Sequence, residues 1–160
     1  MDFWSKFFYN DVEICDYLCY NLDEVKRKRG SSVRLKNILI VVNDIELSKE
    51  FYQELFGLRV VTDFGENVIL SEGLVLQEKK IWEQVTGKSV TAGGNNVELY
   101  FEEYDLEAFA QKLNNSKFPI RYVNELMEPS LGHRVIRIYD PDEHIIEIGE
   151  QPLKKNSLEL

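Results

Sequence analysis

The sequence predicts an α+β fold in which two βαβββ modules form a curved mixed sheet around a central cavity, with an extra N-terminal helical segment. After residue 35, short apolar runs typical of strands are interrupted by two helical patterns. A strand followed by Asp44 and a helix recurs 61 residues later as a strand followed by Asp105 and a helix. Gln77 and Glu147 then stand at similar places in the last strand of each half, 70 residues apart.

Residues 1–34 are predicted to form a helical N-terminal extension and a linker. Apolar residues recur there at steps of three, four or seven, as on one face of an amphipathic helix. They are Trp4, Phe8, Cys15, Leu18, Leu22 and Val25. A basic run at 26–29 followed by Gly30 favours the helix C-terminus. We expect the aromatic residues to pack on their own domain or on a second subunit, or to cover the mouth of a pocket.

The first module is predicted over about residues 35–78. Apolar runs at 35–42, 58–62, 67–70 and 74–77 are typical of strands. A helix is expected at about 46–56, with Asp44 as its N-cap and Gly57 as its end. The connection at 79–96 contains Trp82, which either covers a ligand or only packs between the modules.

The second module is predicted over about residues 97–150. Strands are expected at 97–102, 133–139 and 144–148, and a helix at about 106–113 begins after the N-cap Asp105. Residues 151–160 are predicted to be a C-terminal tail. The two modules together form one predicted domain at 35–150.

The composition excludes several classes of protein. Nineteen Lys and Arg against 28 Asp and Glu give a net charge of −9, so we expect no nucleic-acid partner. We also expect no membrane partner, because no window approaches the roughly 18 to 20 apolar residues of a membrane span. Cys15 and Cys19 lack further zinc ligands nearby and are expected to be reduced packing residues. The predicted location is cytoplasmic.

Two segments carry a family resemblance. NILIVVNDIELSKEFYQELFGLRVV contains a strand, an Asp-capped helix and a glycine exit. LGHRVIRIYDPDEHIIEIGE contains the turn Asp140-Pro141-Asp142, which leads into a last strand with Glu147. With these segments, residues 35–150 resemble the vicinal oxygen chelate superfamily, which includes glyoxalase I, bleomycin-resistance proteins and extradiol dioxygenases. The resemblance implies a glyoxalase/bleomycin-resistance-like domain that pairs as a homodimer.

The resemblance also implies where a metal would bind. Metal-dependent members hold a divalent ion with one side chain from the first and one from the last strand of each module. The matching positions are Asn37, Gln77, Glu98 and Glu147. Asn37 stands where His is usual, and this set cannot form the two-His-one-carboxylate iron site of the dioxygenases. We therefore expect no metal cofactor; the alternative is a divalent metal such as Mg, Mn, Ni or Zn, held by Gln77, Glu98 and Glu147.

Strand alternation predicts which side chains line the cavity. The expected ligand-binding residues are Asn37, Gln77, Glu98, Tyr100, His133, Arg137, Tyr139 and Glu147. Two carboxylates in a cavity repel each other unless a cation offsets their charge. Arg137 is therefore expected to pair with Glu98 or Glu147 in place of a metal, or these groups only satisfy one another as a network. His133 is either a general base or a structural residue.

Three functions remain open from the sequence. The first is a small-molecule-binding protein of the glyoxalase/bleomycin-resistance type that lacks a strong metal site. An acidic and aromatic pocket favours a cationic or polar organic ligand. The alternative is a divalent-metal-dependent, glyoxalase-like lyase or isomerase, in which a carboxylate moves a proton beside a chelated pair of oxygens. In the third, the domain is an interaction module whose N-terminal helix binds a partner. No residue is assigned a catalytic role.

Overall fold

A computed structural model describes residues 35–91, 93, 96–130 and 132–151. These residues belong to one compact unit that begins at Leu35. The predicted N-terminal helical segment at 1–34 and most of the predicted tail, at 152–160, lie outside the described residues.

The first module folds into a four-stranded mixed sheet with one helix. Its elements are β1 (Ile38–Val42), α1 (Ile45–Phe56), β2 (Val60–Asp63), β3 (Asn67–Leu70), a 3₁₀ turn (Ser71–Gly73) and β4 (Leu74–Glu78). The strands lie in the order β1-β4-β3-β2, with β1 and β4 parallel and the other pairs antiparallel. A parallel pair needs a crossover connection, which α1 and the β2–β3 hairpin provide.

The ends of α1 follow the sequence prediction. The Asp44 carboxylate accepts a hydrogen bond from the Leu47 backbone N–H at 3.0 Å, which satisfies one of the free donors of the first turn. Gly57 ends the helix with φ at 68°, a left-handed conformation that glycine adopts without steric cost. Asp105 caps α3 (Leu106–Asn114) in the same way, through Ala108 N–H at 2.9 Å.

The second module repeats the architecture of the first. Helix α2 (Lys79–Thr86) precedes it, and its elements are β5 (Glu98–Glu103), α3, β6 (Arg121–Ser130), β7 (His133–Tyr139) and β8 (Ile145–Glu150). The strand order is β5-β8-β7-β6, with β5 and β8 parallel. The α+β class and the two βαβββ modules are therefore confirmed.

Two elements were absent from the sequence prediction. Residues 79–86 are helical where the sequence indicated only a connection, and β6 supplies a strand that the apolar runs did not reveal. Most of β6 is exposed or half-buried, and its register with β7 is interrupted at several places. A strand with so little buried apolar surface lacks the period-two pattern that identifies strands from sequence.

The two modules share one apolar core, and their sheets form no closed barrel. The core joins α1 and α3 to the helix-facing side of both sheets. Phe56 of α1 packs on Phe101 of β5, with ring centroids 4.3 Å apart. On β7, Ile136 and Ile138 belong to this core, as strand alternation predicted. The opposite face of the second sheet therefore carries the predicted polar residues.

Among the described residues, none of the helices is long and apolar enough to span a membrane.

Candidate functional site

The face of the second sheet that points away from the core carries most of the predicted site; we call it the site face. Glu147 lies on β8, opposite Arg137 on β7 and opposite Tyr100 on β5. Glu98 lies two residues before Tyr100, and successive odd or even residues of a strand share one face. The pairing of β5, β7 and β8 thus brings residues that are far apart in the sequence onto one face.

Arg137 joins the two carboxylates of the site face. Its Nε donates to Glu98 Oε1 at 2.9 Å, and its neighbouring Nη2 donates to Glu147 Oε2. The Glu147 side chain is only 10% exposed, whereas that of Glu98 is 42% exposed. One guanidinium therefore bridges a buried and an open carboxylate, and the predicted pairing occurs with both of them.

The remaining predicted residues of the second module flank this bridge. His133 Nε2 lies 3.7 Å from Glu147 Oε1, and the imidazole is largely exposed. Tyr139 lies further along β7, where the Arg121 guanidinium stacks over its ring at 5.3 Å from the centroid. His133 is thus close to the carboxylate that it would need as a proton-transfer partner, and Tyr139 is engaged by a cation.

The Tyr100 ring lies over the backbone of Gly149. A Cβ added to Gly149 would come within 2.9 Å of Tyr100 Cε2 and Cζ, a distance that side chains do not tolerate. Glycine at this position of β8 therefore allows the ring to lie against the sheet. Partial burial raises the pKa of the Tyr100 hydroxyl, and the charges of Glu102 and Glu147 add to the increase, so the phenol stays protonated at neutral pH.

The corresponding amides of the first module form a closed network. Gln77 is only 1% exposed; its Oε1 accepts from Asn67 Nδ2 at 2.8 Å, and its Nε2 donates to the Glu66 carbonyl at 2.8 Å. Sequence reasoning missed Asn67, although the 70-residue offset that relates Gln77 to Glu147 also relates Asn67 to Arg137. Each module therefore ties a residue of its last strand to a polar partner on the neighbouring strand.

The structure does not bring Asn37 and Gln77 together as it does Glu98 and Glu147. Gln77 lies opposite Val41 in the β1–β4 ladder, four residues beyond Asn37. The equivalent spacing in the second module, from Glu98 to the residue opposite Glu147, is two residues. At about 3.3 Å per residue, Asn37 and Gln77 are about 13 Å apart along the strand direction. The first module thus does not offer these two side chains to one ligand.

This arrangement does not fit the divalent ion that the family resemblance implies. In the part of the chain that the structure describes, no three His, Cys, Asp or Glu side chains are placed to hold a metal. The Gln77 amide oxygen is occupied by Asn67, and Arg137 fills the space that joins Glu98 to Glu147. A metal ligand must present free lone pairs, and here the lone pairs that face each other already accept hydrogen bonds.

The site face carries an excess of negative charge. Glu102 continues the exposed row of β5 after Glu98 and Tyr100, while Glu147 lies beside it on β8. Against these three carboxylates, Arg137 supplies one permanent positive charge. The electrostatic potential of the face therefore favours cations.

A buried polar cluster lies apart from the predicted site and was missed by sequence reasoning. Asp140, only 1% exposed, accepts hydrogen bonds from the Tyr52 hydroxyl and from the backbone N–H groups of Asp142 and His144. Its Oδ2 also lies 2.8 Å from His144 Nδ1. The Asp-Pro-Asp turn predicted the bend of the chain, but the Tyr52 contact joins residues 88 positions apart. This cluster connects α1 to the second module.

The comparisons agree with the fold and with the repeated modules. A family model described as a glyoxalase-like domain matches residues 35–153, most of the chain. The chain belongs to the glyoxalase-like family. The resemblance to the vicinal oxygen chelate superfamily is thereby confirmed. Among curated proteins, none matches the chain.

Solved structures of this glyoxalase-like fold are similar to the chain. A protein of unknown function from Agrobacterium tumefaciens is 32% identical with a TM-score of 0.65, and the match covers 77% of this chain and 98% of that one. A glyoxalase-related enzyme from Fulvimarina pelagi is 22% identical with a TM-score of 0.61, covering 74% and 88%. A glyoxalase/bleomycin resistance protein/dioxygenase family enzyme from Burkholderia phytofirmans is 18% identical, covering 72% and 96%, with a TM-score of 0.62. The latter two matches support the fold alone.

Proposed function

We propose that this glyoxalase-like protein binds a small organic cation on the site face and needs no metal to do so. The observation that carries the proposal is the charge balance of the face. Arg137 bridges Glu98 and Glu147 but offsets only one of their two charges, and Glu102 adds a third negative charge nearby. A cationic ligand removes the remaining repulsion.

An aromatic side chain gives the face a second means to bind a cation. Tyr100 is 53% exposed and its ring is held against the sheet at Gly149. Cations bind to the negative face of an aromatic ring, and a fixed ring loses little conformational entropy when it does so. An organic ammonium group therefore finds a ring and carboxylates on the same surface.

A homodimer is part of the proposal. β1 and β5 are the edges of their sheets, and apolar side chains at or next to them are exposed. These are Leu35, Ile38, Leu39, Val97 and Tyr100. A second copy that covers these edges would remove the apolar surface from water and would narrow the open site face into a pocket.

The oligomeric state can be tested by sedimentation velocity on the full chain. We expect a dimer for the wild type and a shift toward monomer for Leu39→Glu, because a charge at the edge would be buried on association. Leu47→Glu is the matched control, since Leu47 is also exposed but lies on α1. A monomeric wild type, or an equal effect of both substitutions, would contradict the dimer.

The ligand class can be tested by calorimetry on chelator-treated protein. The probes are benzyltrimethylammonium and spermidine, with benzoate as an anion of similar size to the first. We expect binding of the cations only, and a loss of about tenfold or more in Glu147→Gln. Glu50→Gln, a surface change on α1, should leave the affinity unchanged. Binding of benzoate in preference to both cations, or unaltered affinity in Glu147→Gln, would refute the proposal.

The same samples test the metal-dependent lyase or isomerase alternative. Cation binding that appears only after Mg, Mn, Ni or Zn is restored would favour the alternative and would contradict a metal-free site. The proposed partners include no nucleic acid and no membrane, and the proposed location is the cytoplasm; fractionation of cells that produce the full chain tests both points.

A further inference from the structure

The Arg137 guanidinium occupies the position that a bridging cation would take on the site face. Two neighbouring N–H groups of one planar group reach Oε1 of Glu98 and Oε2 of Glu147, on two different strands. A divalent ion between two carboxylates makes the same connection, with one oxygen from each side. The guanidinium is permanently charged and cannot be removed by chelators or by pH.

The groups around the bridge would suit a metal if the guanidinium were absent. Glu147 is mostly buried and held by the sheet, and the exposed Glu98 has room to move toward it. His133 Nε2 lies 3.7 Å from the free Oε1 of Glu147 and offers an imidazole ligand. Two carboxylates and one imidazole are a ligand set that Mn²⁺ and Zn²⁺ accept.

We infer that Arg137 is a built-in replacement for the metal of this family, and that its removal converts Glu98, Glu147 and His133 into a divalent-metal site. The inference rests on the site of the proposed function but not on the identity of its ligand. In the wild type the guanidinium both repels a second cation and occupies the lone pairs that it would need. Loss of Arg137 leaves two uncompensated carboxylates, which a divalent ion then neutralises.

The first module supplies the replacement residue for the test. Asn67 stands beside Gln77 as Arg137 stands beside Glu147, so Arg137→Asn introduces a side chain that this sheet geometry accommodates in the other module. Chelator-treated wild type and variant are titrated with Mn²⁺, and the free ion is measured by electron paramagnetic resonance. We expect the variant to bind one Mn²⁺ at least about tenfold more tightly than the wild type. Adding Glu147→Gln to the variant should abolish the gain.

Arg134 gives a matched control on the same strand. It also bridges two carboxylates, those of Glu107 and Glu150, but on the opposite side of β7 and with Glu107 largely exposed. Arg134→Asn should therefore produce no comparable Mn²⁺ affinity. An equal gain in Arg134→Asn would show that any exposed acidic pair behaves in this way and would overturn the inference.

The remaining outcomes also decide the inference. If Arg137→Asn is unfolded by circular dichroism, Mn²⁺ is expected to restore its fold, because binding to the native state shifts the folding equilibrium. Failure to bind and failure to restore the fold would overturn the inference. Tight Mn²⁺ binding by the wild type that is lost in Glu147→Gln would overturn it as well. The organic-cation titration of the wild type is independent of these results, so the proposed function can stand or fall separately.

Discussion

The Tyr52 hydroxyl, on α1 of the first module, donates a hydrogen bond to the buried Asp140 carboxylate of the second module at 2.8 Å. Burial raises the pKa of Tyr52 well above its ordinary value, and the negative charge of Asp140 and the hydrogen bond to it raise it further. The phenol therefore remains a donor throughout the range in which the protein folds. A buried carboxylate needs such donors, because its desolvation is otherwise costly.

Tyr52→Phe should lower the free energy of unfolding by about 1–3 kcal/mol, the range for a hydrogen bond to a charged group. The ring remains, so packing changes little. Urea denaturation measures the loss. Tyr122→Phe is the matched control: its hydroxyl donates to Asn114 at 3.2 Å near the surface, and its removal should cost less than about 0.5 kcal/mol. A loss of equal size in both variants would show that the Asp140 contact has no special weight.

His144 should make stability depend on pH. Burial alone would lower its pKa, but the hydrogen bond to Asp140 and the charges of Asp140 and Asp142 outweigh burial and raise the pKa above its ordinary value. Protonated His144 therefore stabilises the folded state. This contribution is complete below the unfolded-state pKa of about 6.5 and is lost as pH rises through the raised folded-state pKa.

His144→Asn removes the titrating group and should flatten this part of the pH profile. Urea unfolding of wild type and variant, measured at several values between about pH 5.5 and 8.5, gives the two curves. The stability difference between the proteins should be largest at the acidic end and should shrink as pH rises. A difference that is constant across the range would contradict the assigned role of His144.

Glu143 follows the same turn with φ at 71°, a left-handed conformation that side chains disfavour. Glu143→Gly should therefore be more stable than Glu143→Ala by about 0.5–1 kcal/mol. Both substitutions remove the exposed ion pair with Arg121, so the comparison isolates the backbone effect. Thermal and urea unfolding measure it, and an alanine variant as stable as the glycine variant would refute the argument.

Local patterns were sufficient to predict most of the fold. Asp44 and Gly57 mark the ends of α1 because capping depends on a few neighbouring residues. The alternation that put Ile136 in the core and Arg137 on the opposite face depends only on strand geometry. β6 escaped because its exposure removes the apolar pattern on which such predictions rest.

The candidate site was less predictable because it depends on register. Sequence spacing related Asn37 to Glu98 through the helix caps and Gln77 to Glu147 through the last strands. The two relationships are incompatible by two residues once the ladders are known. The Asn67 partner of Gln77 also follows from pairing, since a strand register is not encoded by either strand alone.

Tyr100 and Gly149 provide a test of how the site face is built. Gly149→Ala places a methyl group where the Tyr100 ring now lies, within 2.9 Å of two of its carbons. Because Tyr100 is largely exposed, the ring can rotate into solvent, so the melting temperature should change little while the ring leaves the face. If the ring contributes to organic-cation binding, Gly149→Ala should weaken it by about as much as Tyr100→Ala does, roughly five- to tenfold for one exposed cation–π contact.

The double variant Gly149→Ala/Tyr100→Ala separates this effect from a general disturbance of β8. Once the ring is absent, the added methyl group has nothing to displace, so the double variant should bind benzyltrimethylammonium no more weakly than Tyr100→Ala alone. Additive losses would mean that the methyl group acts through the backbone or through Glu147, two residues earlier on the same strand. Calorimetry on the four proteins closes the cycle, and a coupling free energy near zero would contradict the positioning role of Gly149.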